Sequence, residues 1–150
     1  MGIDDVYDLL CMKGEDKSYA FEFSTVKELC PELQISKVPC LPPYFAGVCN
    51  YKGEIVPVLA LGKEAYFDKK KVTIIFGYQE YLIGILCYGE PYILSTEACK
   101  EIQSPDLEDE MGMWAEKRLI QSGDEILTVL DMEKIICNLA DYFKGEYLRS

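Results

Sequence analysis

Seven cysteines, at positions 11, 30, 40, 49, 87, 99 and 137, are the residues of this sequence that could most readily do nucleophilic or metal chemistry. Their setting speaks against both. No two are closer than nine positions, so no C-x-x-C exists for a zinc ribbon or a thioredoxin-like pair. Several stand in apolar stretches, such as Ala46-Gly-Val-Cys49 and Ile85-Leu-Cys-Tyr88. There they read as reduced thiols serving as small hydrophobes. The chain has no histidine. That removes every Cys-His or Ser-His nucleophile pair, every His-ligated zinc site and any phosphohistidine relay carried on this chain. A thiol enzyme built on Cys99 is therefore only a third-ranked reading, and neither a metal nor a cofactor is expected.

The charge balance narrows the partners. Fifteen Lys and Arg against 26 Asp and Glu leave a net charge of −11. Such a surface repels nucleic-acid phosphates and anionic lipid. The run Lys69-Lys-Lys71 reads as a solvated strand entry rather than a phosphate patch, and the acids of residues 106 to 110 as a solubilising loop. No apolar run approaches the ~20 residues of a membrane span. Acids occupy the N-terminus where a secretory signal carries bases, so a cytoplasmic protein is expected.

With 150 residues the chain is one ordinary domain, 1–150, large enough to bury a core without disulfides. The elements are mostly short strands. Strands are expected over 6–12, 18–23, 47–51, 54–61, 72–78, 81–88, 92–94, 99–102, 113–121 and 125–130. Lys52-Gly53 and Ser122-Gly-Asp124 supply hairpin turns, and residues 13–17 another turn. Ser24 or Thr25 should cap a short helical turn over Val26 to Cys30, ended by Pro31. Leu33, Ile35 and Val38 suggest a further strand, followed by a stiff extended link over residues 39–43. A short helix is expected over 63–68 and a loop over 103–112. Strands 72–78 and 81–88 are apolar on both faces, as in a small closed barrel. Met132, Ile135, Ile136, Leu139, Ala140 and Phe143 form one helical face, capped by Asp131 and stopped near Gly145.

The informative segment runs Pro42-Pro-Tyr-Phe-Ala-Gly47-Val-Cys-Asn-Tyr-Lys52-Gly53-Glu-Ile-Val-Pro-Val-Leu-Ala60-Leu61. It resembles the signature of the CheW-like adaptors of bacterial chemotaxis, in which Gly-Val-x-Asn-x-Arg-Gly precedes an apolar-x-Pro-Val-apolar-Asp-Leu strand. Tyr19-Ala-Phe21 and Val26-Lys-Glu28-Leu29 resemble the family's upstream block. Gly84 and the stretch Asp124 to Ile136 resemble its later strand, last hairpin and helix start. Lys52 stands where the family has Arg, which keeps the charge but loses the planar fork. Ala60 replaces an Asp, and Cys87-Tyr88 replace a Val-Asp pair.

The resemblance implies a mainly β, CheW-like fold: two small five-stranded SH3-like β-barrels packed together, with a C-terminal amphipathic helix. It implies no catalysis. It implies docking to the cytoplasmic tip of a chemoreceptor through Val26, Glu28, Leu29 and Lys52. Docking to the regulatory domain of the chemotaxis histidine kinase would involve Gly47 and Gly53. Two alternatives stand beside it. One is a small acidic β-barrel that binds an oligonucleotide or another ligand. The other is a divergent CheW-like copy that has lost one partner.

Overall fold

The computed structural model describes residues 7–13, 17–61, 70–102 and 114–149. Among the described residues, eleven strands and one α-helix follow in chain order: β1 Asp8–Met12, β2 Ser18–Glu22, β3 Val26–Cys30, β4 Phe45–Tyr51, β5 Glu54–Ala60, β6 Lys71–Tyr78, β7 Tyr81–Tyr88, β8 Tyr92–Ser95, β9 Lys100–Ile102, β10 Glu116–Ser122, β11 Glu125–Leu130 and α1 Met132–Arg149. They fall into two compact units. Unit 1 combines the two ends of the chain, 1–25 and 91–150, and unit 2 is the middle, 26–90.

In unit 1 the strand order is β8-β1-β2-β11-β10-β9. All pairs are antiparallel except β11 with β2, which run parallel. Side chains alternate across a strand, so Leu9 and Cys11 of β1 share a face. They form a core with Ala20, Ile120, Leu127 and Val129. Leu10, Met12, Phe21 and Leu130 are buried as well, so both faces of these strands are covered. The phenol of Tyr92 on β8 donates to Glu125 Oε1 on β11 at 2.5 Å. Those strands stand three places apart in the order, so the sheet must curl to bring them together.

Unit 2 has the order β3-β6-β7-β5-β4, with β5 and β7 parallel and the other pairs antiparallel. β3 and β4 are the two ends of that order. The chain leaving β3 nevertheless reaches β4. Ser36 N donates to Val48 O at 2.8 Å and Val48 N donates to Ser36 O at 2.9 Å. Cys30, Leu33 and Ile35 pack on a core of Cys49, Val56, Val58, Ile75 and Leu86. The apolar strands β6 and β7 are buried on both faces, as their sequence predicts.

Several expectations are corrected. Val26 to Cys30 is a strand, not a helical turn; the turn is a 3-10 turn over Phe23–Thr25, where Thr25 Oγ1 donates to Glu22 O at 2.8 Å. Five residues cannot repay helix nucleation, whereas β6 offers them an antiparallel ladder, broken by one irregularity between Val26 and Glu28. The strand expected about Leu33, Ile35 and Val38 reduces to one bridge at Ser36. Residues 39–43 are no extended link: Pro39 and Cys40 turn, with Cys40 at φ 67, and Phe45 N donates back to Pro42 O. Among the described residues, unit 1 carries six strands rather than five. The helix passes through Gly145 to Arg149, at the modest cost a helical glycine carries. Its N-cap is as expected, with Asp131 Oδ1 accepting from Lys134 N at 3.1 Å. Met132, Ile135, Ile136 and Leu139 are its buried face. The helix expected over 63–68, the loop over 103–112 and most of the turn over 13–17 lie outside the described residues.

Candidate partner-docking site

The β4–β5 hairpin turns on two residues, Lys52 at φ 50 and Gly53 at φ 87. Two consecutive left-handed residues are the mark of the tight hairpin turn whose twist matches its strands. Asn50 Oδ1 secures it by accepting from Gly53 N at 3.0 Å. The tip therefore projects Tyr51, Lys52 and the 69% exposed Ile55 in a fixed geometry.

Glu28 on β3 meets this tip. Tyr51 donates its phenol proton to Glu28 Oε1 at 2.8 Å. Lys52 Nζ lies 3.8 Å from the same oxygen and 5.3 Å from the centre of the Tyr51 ring. The two ends of the unit 2 strand order are thus tied at the surface by a polar cluster. Both charged side chains stay wet, Lys52 at 75% and Glu28 at 45% exposure, so the ion pair adds little stability of its own. Cys30 adjoins the cluster. Burial pushes its thiol up, and the neighbouring Glu28 carboxylate pushes it further. Val26 and Leu29 are half-buried on β3.

The two glycines marked in the sequence have different surroundings. Gly53 is exposed and a Cβ there would meet nothing within 4 Å. Gly47 is buried at φ 145, and a Cβ there would lie 2.2 Å from the carbonyl oxygen of Ser36. Its absence of a side chain lets the Ser36–Val48 bridge close. Ala60 and Tyr88, distant in sequence, line one concavity of about 920 Å³ in unit 2 with Leu33, Ile35, Pro42 and Phe45. Sequence reasoning singled out both positions but not their meeting, because β5 and β7 become neighbours only through the parallel pairing.

The charge is unevenly divided. Residues 26–90 hold seven lysines and seven Asp and Glu, so the whole net charge of −11 belongs to unit 1. The Glu28–Lys52 cluster sits on the neutral unit.

The buried and half-buried thiols are shifted away from nucleophilic reactivity. Burial pushes Cys11 and Cys87 up to about 12, and raises Cys49 and Cys99. A nucleophilic cysteine needs the opposite shift. Among the described residues no group of three or more Cys, Asp or Glu is placed to hold a metal ion. Among the described residues no helix is long and apolar enough to cross a membrane. A prediction follows from the thiols. Each is raised in the fold above the ordinary value of 9.0, so unfolding releases its proton more readily once the pH exceeds 9. The stability these thiols contribute is complete below pH 9 and declines as pH rises toward about 12. Denaturant titrations at pH 8 and pH 10.5 check this, and substituting Cys11 and Cys87 by Ala should flatten the decline. An equal decline in the substituted protein would contradict it.

Comparison with known proteins bears on the whole arrangement. The family model of the CheW-like domain matches residues 8–139. The chain belongs to the CheW-like family. Among curated CheW-like relatives, the chemotaxis protein CheW of Treponema pallidum is 26% identical over 151 aligned residues, covering 88% of this chain and 83% of that protein. The chemotaxis protein CheW of Klebsiella aerogenes is 23% identical, covering 81% and 76%. Among solved structures, the scaffolding protein TtCheW of Thermoanaerobacter tengcongensis matches with a TM-score of 0.66 at 16% identity, over 85% of this chain and 90% of that one. The mainly β, two-sheet architecture with one C-terminal helix is the CheW-like fold.

Proposed function

We propose that this CheW-like chain is a non-catalytic, cytoplasmic adaptor that couples chemoreceptors to the chemotaxis histidine kinase. In this reading residues 1–150 act as one domain made of two β subdomains. Val26, Glu28, Leu29 and Lys52 dock the receptor's cytoplasmic tip. Gly47 and Gly53 shape the edge that meets the kinase regulatory domain, Gly53 at the surface and Gly47 from within. The observation that carries the reading is the Glu28–Lys52 pair. The sequence resemblance marks these two residues independently, Glu28 on β3 and Lys52 in the turn that follows β4, and the fold joins them on one exposed surface although β3 and β4 are the two ends of the sheet order. Nothing in that cluster makes or breaks a bond. Its opposite charges and its exposed phenol suit a protein surface of mixed character. A net charge of zero on unit 2 and −11 on unit 1 argues against nucleic acid as a partner.

Mechanism is then geometry. Two interfaces, each no larger than the standard ~1,600 Å², become strong together once receptor clustering raises the local concentration. Calorimetric titration tests the reading. The chain should bind a receptor tip fragment and the kinase regulatory domain separately, each with a Kd of about tens of micromolar or tighter. A flat titration against both would end it. Binding to one partner alone would identify a divergent copy.

A further inference from the structure

We infer that Tyr51 is the positioning residue of the docking site, holding the Glu28 carboxylate and the Lys52 ammonium in the single arrangement that a partner reads. The inference rests on the docking role proposed for those two residues. Tyr51 itself carries no part of the resemblance: it fills the unspecified position between Asn50 and Lys52.

The geometry leads to it in three steps. Glu28 and Lys52 are long, exposed side chains, and an exposed ion pair at 3.8 Å does not by itself fix either rotamer. Tyr51 has only two side-chain torsions, and its ring is half-buried while its hydroxyl reaches the surface. Such a residue orders its neighbours at low entropic cost. Both contacts run through it: the hydroxyl donates to Glu28 Oε1 at 2.8 Å, and the Lys52 ammonium sits 5.3 Å from the ring centre. The hydroxyl's bond is charge-assisted, the stronger kind of hydrogen bond. Tyr51 is also the last residue of β4, opposite Glu54 in the register, so its backbone is held by the hairpin. The rigid hairpin thereby sets the position of a carboxylate that β3 carries on the far end of the strand order.

Removing the hydroxyl alone separates positioning from packing. Tyr51→Phe keeps the ring, the hairpin and the contact with Lys52. It should leave the melting temperature within a degree or two of the parent. It should weaken binding of the partner that reads Glu28 and Lys52 roughly threefold to tenfold, the net worth of one hydrogen bond in a solvent-exposed cluster. Tyr51→Leu, which also removes the ring, should weaken it further.

A readout independent of binding accompanies this. Glu28 pushes the Tyr51 phenol above its ordinary value of 10.0, against the opposing pull of Lys52; Cys30 is the other titratable group beside Glu28. In a chain labelled with ¹³C on the tyrosine rings, the signal lost in Tyr51→Phe is that of Tyr51. It should titrate above 10.0 in the parent and move back toward 10.0 in Glu28→Gln. No movement, or a Tyr51→Phe variant that binds both partners as the parent does, would overturn the inference while leaving the adaptor reading intact. A parent chain that binds neither partner would overturn both.

Discussion

Replacing Gly47 by alanine should destabilise the protein by about 3 kcal/mol or more, the combined cost of a strained backbone and an overlap that no rotamer relieves. The added methyl would lie 2.2 Å from the Ser36 carbonyl oxygen and 2.9 Å from its carbon. Both are backbone atoms fixed by the reciprocal hydrogen bonds between Ser36 and Val48. Relief would require breaking that bridge, which joins the two ends of the unit 2 strand order and holds Leu33 and Ile35 on the core. The φ of 145 adds strain that any L-residue would feel. A chain of this size loses about 2–4 °C of melting temperature per kcal/mol, so thermal unfolding should begin about 10 °C earlier. Gly53→Ala is the control. It also has a left-handed φ, of 87, but meets no atom, so it should cost only about 1 kcal/mol. Equal melting temperatures for the two variants would remove the account of Gly47. A partner-binding defect in Gly47→Ala reports folding; one in Gly53→Ala reports the docking surface.

Reversing the charge at Glu28 has the opposite profile. Glu28→Arg places a second cation where Lys52 Nζ lies 3.8 Å from the native carboxylate, and it strips the Tyr51 hydroxyl of its acceptor. Because the cluster is exposed, stability should shift by only about 0.5 kcal/mol. Affinity for the docked partner should fall about tenfold or more, since like charges facing across an interface cost several kcal/mol. The double variant Glu28→Arg with Lys52→Glu restores the pair in reverse. It should recover stability but not binding, because the partner reads the sign of each residue as well as their pairing. Surface plasmon resonance with parallel melting curves separates these outcomes. A large fall in melting temperature with unchanged binding would make Glu28 a structural residue.

What the sequence reveals, and what it hides, follows the range of the interactions concerned. The Lys52-Gly53 turn is legible because a hairpin's signal lies within a few residues. The buried face of α1 is legible because Met132, Ile135, Ile136 and Leu139 repeat with the helical period. β3 misleads because Val26 to Cys30 is too short to show a period, and its ladder partner Thr73–Phe76 is more than forty residues away. The glycine at 47 can be noticed, but its cause is a carbonyl eleven residues earlier. Glu28 and Lys52 stand out through resemblance to a known pattern. Tyr51 does not, because what makes it important is a contact between strands that the order of pairing places furthest apart. The parallel pairing that brings Ala60 and Tyr88 to one concavity is hidden for the same reason.

The central claim is that this molecule works by being held between two others. The most direct test is co-sedimentation of the histidine kinase with receptor-bearing membranes, with and without the chain. The account predicts that kinase enters the pellet in proportion to added chain, up to saturation, and that Glu28→Arg abolishes most of this recruitment. The same amount of pelleted kinase in the presence and absence of the chain would contradict it.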